Sequence, residues 1–237
     1  MFYNNVVPLD ASKHADLKLS LAQNFNFAAK VHAVPVVGAE FSSLMRDYAI
    51  VFAETGEKTY SPTVMLGLRA QENLFVDAEG NWDAPYIPFF VRRFPFVTVE
   101  VENDDAVLCI EESVARTMQR EEDAAIFVDG KPTDAMKQFA QLMFQSRDDG
   151  KRSGDLANEL GKEGLLHQVS ASAELPGGPV SMDGMWVVDE TKLRNISAAK
   201  ADEWLKNGTM ALIYAHLFSL ANLDGLVNRL QKRTPAA

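Results

Sequence analysis

Cysteine is nearly absent from this chain. Cys109 is the single one in 237 residues, so no intramolecular disulfide can staple the fold. It lies in Ala-Val-Leu-Cys-Ile, and apolar neighbours mark a buried small hydrophobe rather than a reactive thiol. A surplus of positive charge is absent too. Against 33 Asp and Glu stand 23 Lys and Arg, a formal net charge of −10. That balance opposes non-specific binding to nucleic acid or anionic lipid, although a local basic patch remains compatible with it. No zinc finger or basic reading helix occurs, so nucleic acid is not an expected partner. No unbroken apolar run reaches the roughly 20 residues that cross a bilayer. The longest, Met210 to Leu223, is interrupted by His216, Ser219 and Asn222. The opening Met-Phe-Tyr-Asn-Asn-Val-Val-Pro lacks the basic-then-apolar order of a secretory signal. The expected location is the cytoplasm, with export by a route that reads no N-terminal peptide left open.

Chemical signatures are equally sparse. His14, His32, His167 and His216 show no metal-ligand spacing, and no metal or cofactor is expected. There is no G-x-S-x-G elbow and no glycine-rich phosphate loop. Pro176-Gly-Gly-Pro179 reads as a tight turn, because proline removes an N–H that a phosphate cradle would use. Val76-Asp77, Val128-Asp129 and Val188-Asp189 each close an apolar run. Converging carboxylates could hold a divalent cation, but turn initiation and helix capping account for all three.

What is present is an ample apolar fraction, 47%, enough for a sizeable core. Lys30–Val37, Tyr48–Ala53, Thr63–Leu68 and Leu74–Val76 read as strands, with a short helix over Ala39–Asp47. Asp77-Ala-Glu-Gly80 is turn chemistry between Val76 and Trp82, and Asn103–Asp105 joins strands Phe96–Val101 and Ala106–Ile110. The second half turns helical. Thr133 is an N-cap, followed by Met136, Phe139, Ala140 and Met143 at helical spacing. Ser146 to Gly154 reads either as a loop or as an exposed part of one long helix. Leu166–Ala173 and Met185–Val188 read as strands, Asp189 and Ser197 as caps of short helices, and Gly208 as a break. Thr209–Arg229 is apolar around most of its circumference as far as Ala221, which predicts a buried C-terminal helix. The fold class is α+β, with a mostly antiparallel or mixed sheet from the first half packed against helices from the second. We read residues 1–237 as one domain, with residue 130 the one point of subdivision that composition suggests.

The densest local signal is Tyr86-Ile-Pro-Phe-Phe-Val-Arg-Arg-Phe-Pro-Phe96. An arginine beside aromatic faces can stack on a ring and grip a carboxylate or phosphate. Pro85, Pro88 and Pro95 stiffen the segment. Read as a strand, it sends Arg92 and Arg93 to opposite faces, so that one lines a pocket or ion pair and the other meets water. The bland alternative is an internal ion pair for one and solvation for the other. His216, near Tyr214 and Ser219 in the most apolar helix, is either a hydrogen-bonded core histidine or a pocket histidine. His32, between Val31 and Ala33, has the same two readings.

Three strings carry a family resemblance. They are Glu72-Asn-Leu-Phe-Val-Asp77 with Gly80 and Trp82, the Tyr86–Phe96 string, and Leu212-Ile-Tyr-Ala-His-Leu-Phe-Ser-Leu220. Val7-Pro-Leu9 with His14, and Tyr48-Ala-Ile-Val-Phe52, fit it as well. The chain resembles the SapC family of bacterial proteins over nearly its whole length. The resemblance implies a bacterial origin and a link to surface or nutrient-uptake systems. It implies no reaction and no site residue.

These observations favour a non-catalytic binding or accessory protein. The expected ligand is a small acidic molecule or peptide held near Tyr86–Phe96, with Tyr86, Arg92, Arg93, Tyr214 and His216 as candidate contacts. One alternative is an enzyme that uses a pocket histidine and carboxylates. Another is a surface-layer assembly component, for which rigid aromatic anchors and a homo-oligomeric state are suited.

Overall fold

A computed structural model describes residues 2–173 and 178–233 of the chain. Its strands, in chain order, are β1 (Val6–Pro8), β2 (Ala33–Pro35), β3 (Ile50–Gly56), β4 (Thr59–Met65), β5 (Phe96–Glu100), β6 (Ala106–Glu111), β7 (Phe127–Val128), β8 (Lys131–Pro132), β9 (Leu166–Ala173) and β10 (Val180–Val188). Its helices are α1 (Phe41–Leu44), α2 (Phe89–Arg92), α3 (Glu112–Ala115), α4 (Asp134–Lys162), α5 (Glu190–Leu193), α6 (Ala198–Lys206), α7 (Thr209–Ser219) and α8 (Asn222–Arg233). Every described strand pairing is antiparallel. The fold is α+β.

The main sheet has the order β2-β4-β3-β10-β9, and a smaller one has the order β1-β6-β5. The β5–β6 hairpin is the one expected from Asn103–Asp105, with Phe96 opposite Ile110 and Val97 opposite Cys109. Beta-branched and aromatic residues over Ile50–Phe52 and Val64–Met65 fill the sheet interior, where all are buried. The β3–β4 turn, with Lys58 at φ 54°, joins two strands that begin earlier or run later than their apolar cores suggest. Leu74–Val76 is not a strand. Its predicted hairpin shrinks to a single bridge between Val76 and Trp82. Asp77 instead folds the turn onto itself, its Oδ1 accepting from the N–H groups of Glu79 and Asn81 at 3.0 and 2.7 Å. Gly80 sits at φ 87°, and a Cβ there would fall 2.2 Å from Asn24 Nδ2, so both backbone and space require glycine.

Helix α4 runs unbroken for 29 residues, through the stretch that reads as either loop or helix. Thr133 caps it, its Oγ1 accepting from Met136 N–H at 3.3 Å. One buried stripe, Met136, Phe139 and Met143, packs with Phe96 and Ile110. A second, Ala157 and Leu160, packs with Phe52, Tyr60 and Trp204. At Gly161 a Cβ would lie 2.6 Å from a Tyr60 ring carbon, so glycine lets helix and sheet touch there. Between the two stripes the helix presents Ser146, Arg147 and Gly150. The polar interruption visible in the sequence is therefore a change of what the helix covers, not a break in it.

The two predicted caps are in place. Asp189 Oδ1 accepts from the N–H groups of Thr191 and Lys192 at 3.0 and 3.1 Å, and Ser197 Oγ from Lys200 N–H at 3.2 Å. The Pro176–Pro179 turn lies partly outside the described residues. The C-terminal segment is two helices, parted at Leu220–Ala221, and it is buried along one side. Ile213, Ala215, His216, Leu226 and Leu230 face the interior, while Tyr214 and Phe218 are 40% and 67% exposed. By length and composition Thr209–Arg233 is long and apolar enough to cross a membrane, and 28% of its most apolar window is buried within the fold. Averaged over a helix, the polar His216, Ser219 and Asn222 weigh less than they do as interruptions of a run.

Candidate functional site

The Tyr86–Phe96 string departs most from expectation. It is not a strand. Phe89–Arg92 forms one helical turn, and Arg93 continues it with helical dihedrals. The amides of Val91 and Arg92 donate to Pro88 C=O at 2.9 and 3.1 Å. Pro85, Pro88 and Pro95 deny the segment the ladder donors of a strand, and the Phe94–Pro95 peptide is cis. A carboxylate distant in sequence then fixes the turn. Glu40, buried at the end of the 3₁₀ turn Gly38–Glu40, accepts from Phe89 N–H at 2.7 Å and Tyr86 O–H at 2.9 Å on the same Oε1. That charge satisfies an amide at the start of the turn which has no partner within it. Tyr86 in turn accepts from Arg92 Nη2 at 3.2 Å. Burial pushes the Tyr86 phenol up to about 12, with Glu40 adding to the rise and Arg92 opposing it.

The two arginines do differ in role, for a helical reason rather than strand alternation. Arg92 is exposed, with its guanidinium 5.2 Å from the Tyr86 ring centre and 5.3 Å from that of Phe89. Arg93 turns inward and lies 4.5 Å over the Phe90 ring. Among the described residues no carboxylate pairs with Arg93, and its buried Nε–H has no hydrogen-bond partner. Burial raises the Tyr3 phenol beside it, while Arg93 pulls the other way.

Arg93 lines a cavity of about 190 Å³ between the aromatic segment and the middle of α4. Glu40, Ser61, Phe89, Phe90 and Arg147 also line it. Arg147 is 15% exposed and reaches Glu100 at 3.6 Å. Two arginines thus line the cavity beside aromatic walls, and among the described residues the one carboxylate in the lining, Glu40, already accepts from Tyr86 and Phe89. The arrangement suits a planar anion, because a guanidinium stacked on a ring keeps its plane and presents fixed donors. The lining has no histidine or cysteine.

Tyr214 and His216 belong elsewhere. Tyr214 lies on the outer face of α7, with its ring 5.9 Å from that of Phe218. His216, fully buried, points the other way. Its Nδ1–H donates to Ile50 C=O at 2.7 Å and its Nε2 accepts from Val188 N–H at 3.1 Å. Both ring nitrogens are used, so this is a core histidine that ties α7 to β3 and β10. Burial pulls its pKa down to about 4. Of the five residues singled out in sequence, the structure brings Tyr86 and Arg92 together, turns Arg93 away from them into the cavity, and places the other two elsewhere. Sequence reasoning missed Glu40 and Arg147. Glu40 stands in an ordinary Ala-Glu-Phe context, and Arg147 in a charged stretch that reads as solvated. Among the described residues no group of three or more His, Cys, Asp or Glu could hold a metal ion.

A family model described as SapC matches residues 9–226, and the chain belongs to the SapC family. No curated protein and no solved structure matches it.

Proposed function

Starting from that membership, we propose that this chain is a non-catalytic binding or accessory protein of a bacterial surface or nutrient-uptake system. Its ligand is a small acidic molecule or the carboxylate of a peptide, held in the cavity between Arg93 and Arg147. The observation that carries this reading is the Arg93 guanidinium, stacked on Phe90, with a buried N–H that no described protein group accepts. A buried donor left unsatisfied costs about 1–3 kcal/mol, and an anion in the cavity removes that cost. The repulsion of anions by the acidic chain as a whole is screened beyond roughly 8 Å at physiological salt, so the local guanidiniums decide at contact. Binding without turnover is favoured because the lining holds no nucleophile paired with a base, and Glu40 is occupied.

The test is a thermal-shift and calorimetric screen with acetate, succinate, glutamate, inorganic phosphate and an acidic dipeptide, set beside neutral and basic counterparts. Acidic probes should raise the melting temperature of the wild-type protein. Arg93→Gln and Arg147→Gln should abolish the effect, and Arg92→Gln, on the outside, should leave it intact. Stabilisation by basic probes only, or an acidic effect indifferent to Arg93→Gln, would remove the cavity from consideration.

A further inference from the structure

The outer face of α7 is more apolar than a solvated helix surface needs to be. Tyr214 and Phe218 lie on it and, with Phe41, Met45 and Leu212, line a groove of about 300 Å³ between α1 and α7. A second cleft, of about 570 Å³, opens between α4 and the start of α7. Gly38 and Leu212 line both, so groove and cleft adjoin there as two halves of one surface channel. A Cβ on Gly38 would come within 3.0 Å of Leu212 Cδ1, which places these two residues against each other where the halves join.

The halves differ in charge. The groove lining carries no charged side chain. The cleft carries Asp149, Asp155 and Glu159 against Arg152 alone. Asp149 pairs with Arg152. Glu159 accepts from Lys200 at 3.0 Å and from Trp204 Nε1–H at 3.1 Å, and Lys200 is shared with Glu163 and Glu203. Asp155 is exposed and pairs with no cation among the described residues. An apolar floor thus leads to an acidic end.

We propose that this channel seats an amphipathic segment of a partner protein, with large apolar side chains over Phe41, Met45, Tyr214 and Phe218, and a Lys or Arg at Asp155. From Phe218 back to Thr209 the channel follows nine residues of α7, about 14 Å at 1.5 Å per residue, which matches two to three turns of a docked helix. Charge selects this occupant over two others. A second copy brings the same acid surplus, in a chain of net charge −10. An anionic bilayer would be repelled by the acidic end.

Fluorescence anisotropy with synthetic helix-forming peptides tests this. One probe carries Leu at i, i+3, i+4 and i+7 with two lysines at one end; a second has the lysines at the other end; the controls carry glutamates instead. A lysine-ended peptide should bind at least about tenfold more tightly than its glutamate control. Phe218→Ser should weaken binding by a similar factor, and Asp155→Lys should erase or reverse the preference. Both residues are exposed, so neither change threatens the fold. Arg93→Gln should leave binding unaltered, which separates this surface from the anion cavity. No binding, or equal binding of lysine- and glutamate-ended peptides, would overturn the proposal. Concentration-dependent dimerisation abolished by Phe218→Ser would give the face to a second copy. Co-sedimentation with phosphatidylcholine or phosphatidylglycerol vesicles, abolished by the same change, would give it to lipid. Either outcome also overturns the proposal.

Discussion

Acid should find this fold at His216. The imidazole is neutral inside the protein, its Nδ1–H donating to Ile50 C=O and its Nε2 accepting from Val188 N–H. Protonation would place a second donor against a donor, in a site without solvent. Burial therefore pulls the pKa from 6.5 to about 4. The unfolded chain takes up the proton near 6.5, while the folded chain resists until about 4, so the unfolded state binds more protons in that window. Stability should fall as pH drops from about 6.5 to about 4. A difference of about 2.5 units at 1.36 kcal/mol each corresponds to a loss of about 3 kcal/mol. Carboxylates held low by their partners, Asp123 beside Arg120 and Glu159 beside Lys200, lose their own contributions as pH falls further. A variant isolates the histidine from them. His216→Gln keeps a polar side chain without the titration and should cost about 1–3 kcal/mol at neutral pH through imperfect replacement of two buried bonds. Urea melts of both proteins at several values between about pH 7 and pH 4.5 measure the difference. The gap between wild type and variant should narrow steadily toward acid. Parallel curves across the window would refute the argument and mean that the histidine is charged or solvated in the folded protein.

Glu40→Ala should destabilise by about 3–6 kcal/mol, because two hydrogen bonds to a buried carboxylate, each worth about 1.5–3, are lost together; Glu40→Gln should cost less, and equal small losses from both in urea melts would contradict the cap. Tyr86, raised to about 12, should resist ionisation in a phenolate absorbance titration, so that it contributes stability below about pH 10 that is lost on rising toward pH 12, and Glu40→Gln should bring its titration down. Cys109, paired opposite Val97 and Pro8 within its sheet, has a thiol pushed up by burial; a thiol reagent should label it slowly in the native protein and quickly after denaturation, and rapid native labelling would contradict its burial.

Local chemistry was legible wherever it acts locally. Thr133, Asp189, Ser197 and Gly208 announce helix boundaries because a cap or a left-handed residue needs only its own neighbours. The β5–β6 hairpin was legible for the same reason. The Arg92–Arg93 segment was not, because its shape depends on a carboxylate at position 40 as much as on its own prolines and phenylalanines. Beta-branched and aromatic composition suggests a strand there, but the prolines withhold ladder donors and the Glu40 carboxylate takes the Phe89 amide at the start of a helical turn. His216 shows the converse. Its apolar surroundings already pointed to a core residue, but its partners, Ile50 and Val188, are visible only once the sheet is built. The cavity was half legible. Its aromatic and arginine wall is in one string, whereas Arg147 comes from a charged stretch of α4 whose periodicity hides behind Gly150 and Gly154.

The pairing of β3 with β10 has a consequence for how the chain is made. Phe52 of β3 lies opposite Trp186 of β10, 134 residues further along the chain. A ribosome adding about 5–20 residues per second needs roughly 7–27 s to pass from one to the other. Throughout that interval β3 and β4 can close their hairpin, but the far edge of β3, with Ile50, Val51 and Phe52, has no neighbour to pair with. Nascent chains are therefore most exposed to mispairing with one another just before β10 emerges, and the yield of folded protein should depend on how that edge is shielded during synthesis.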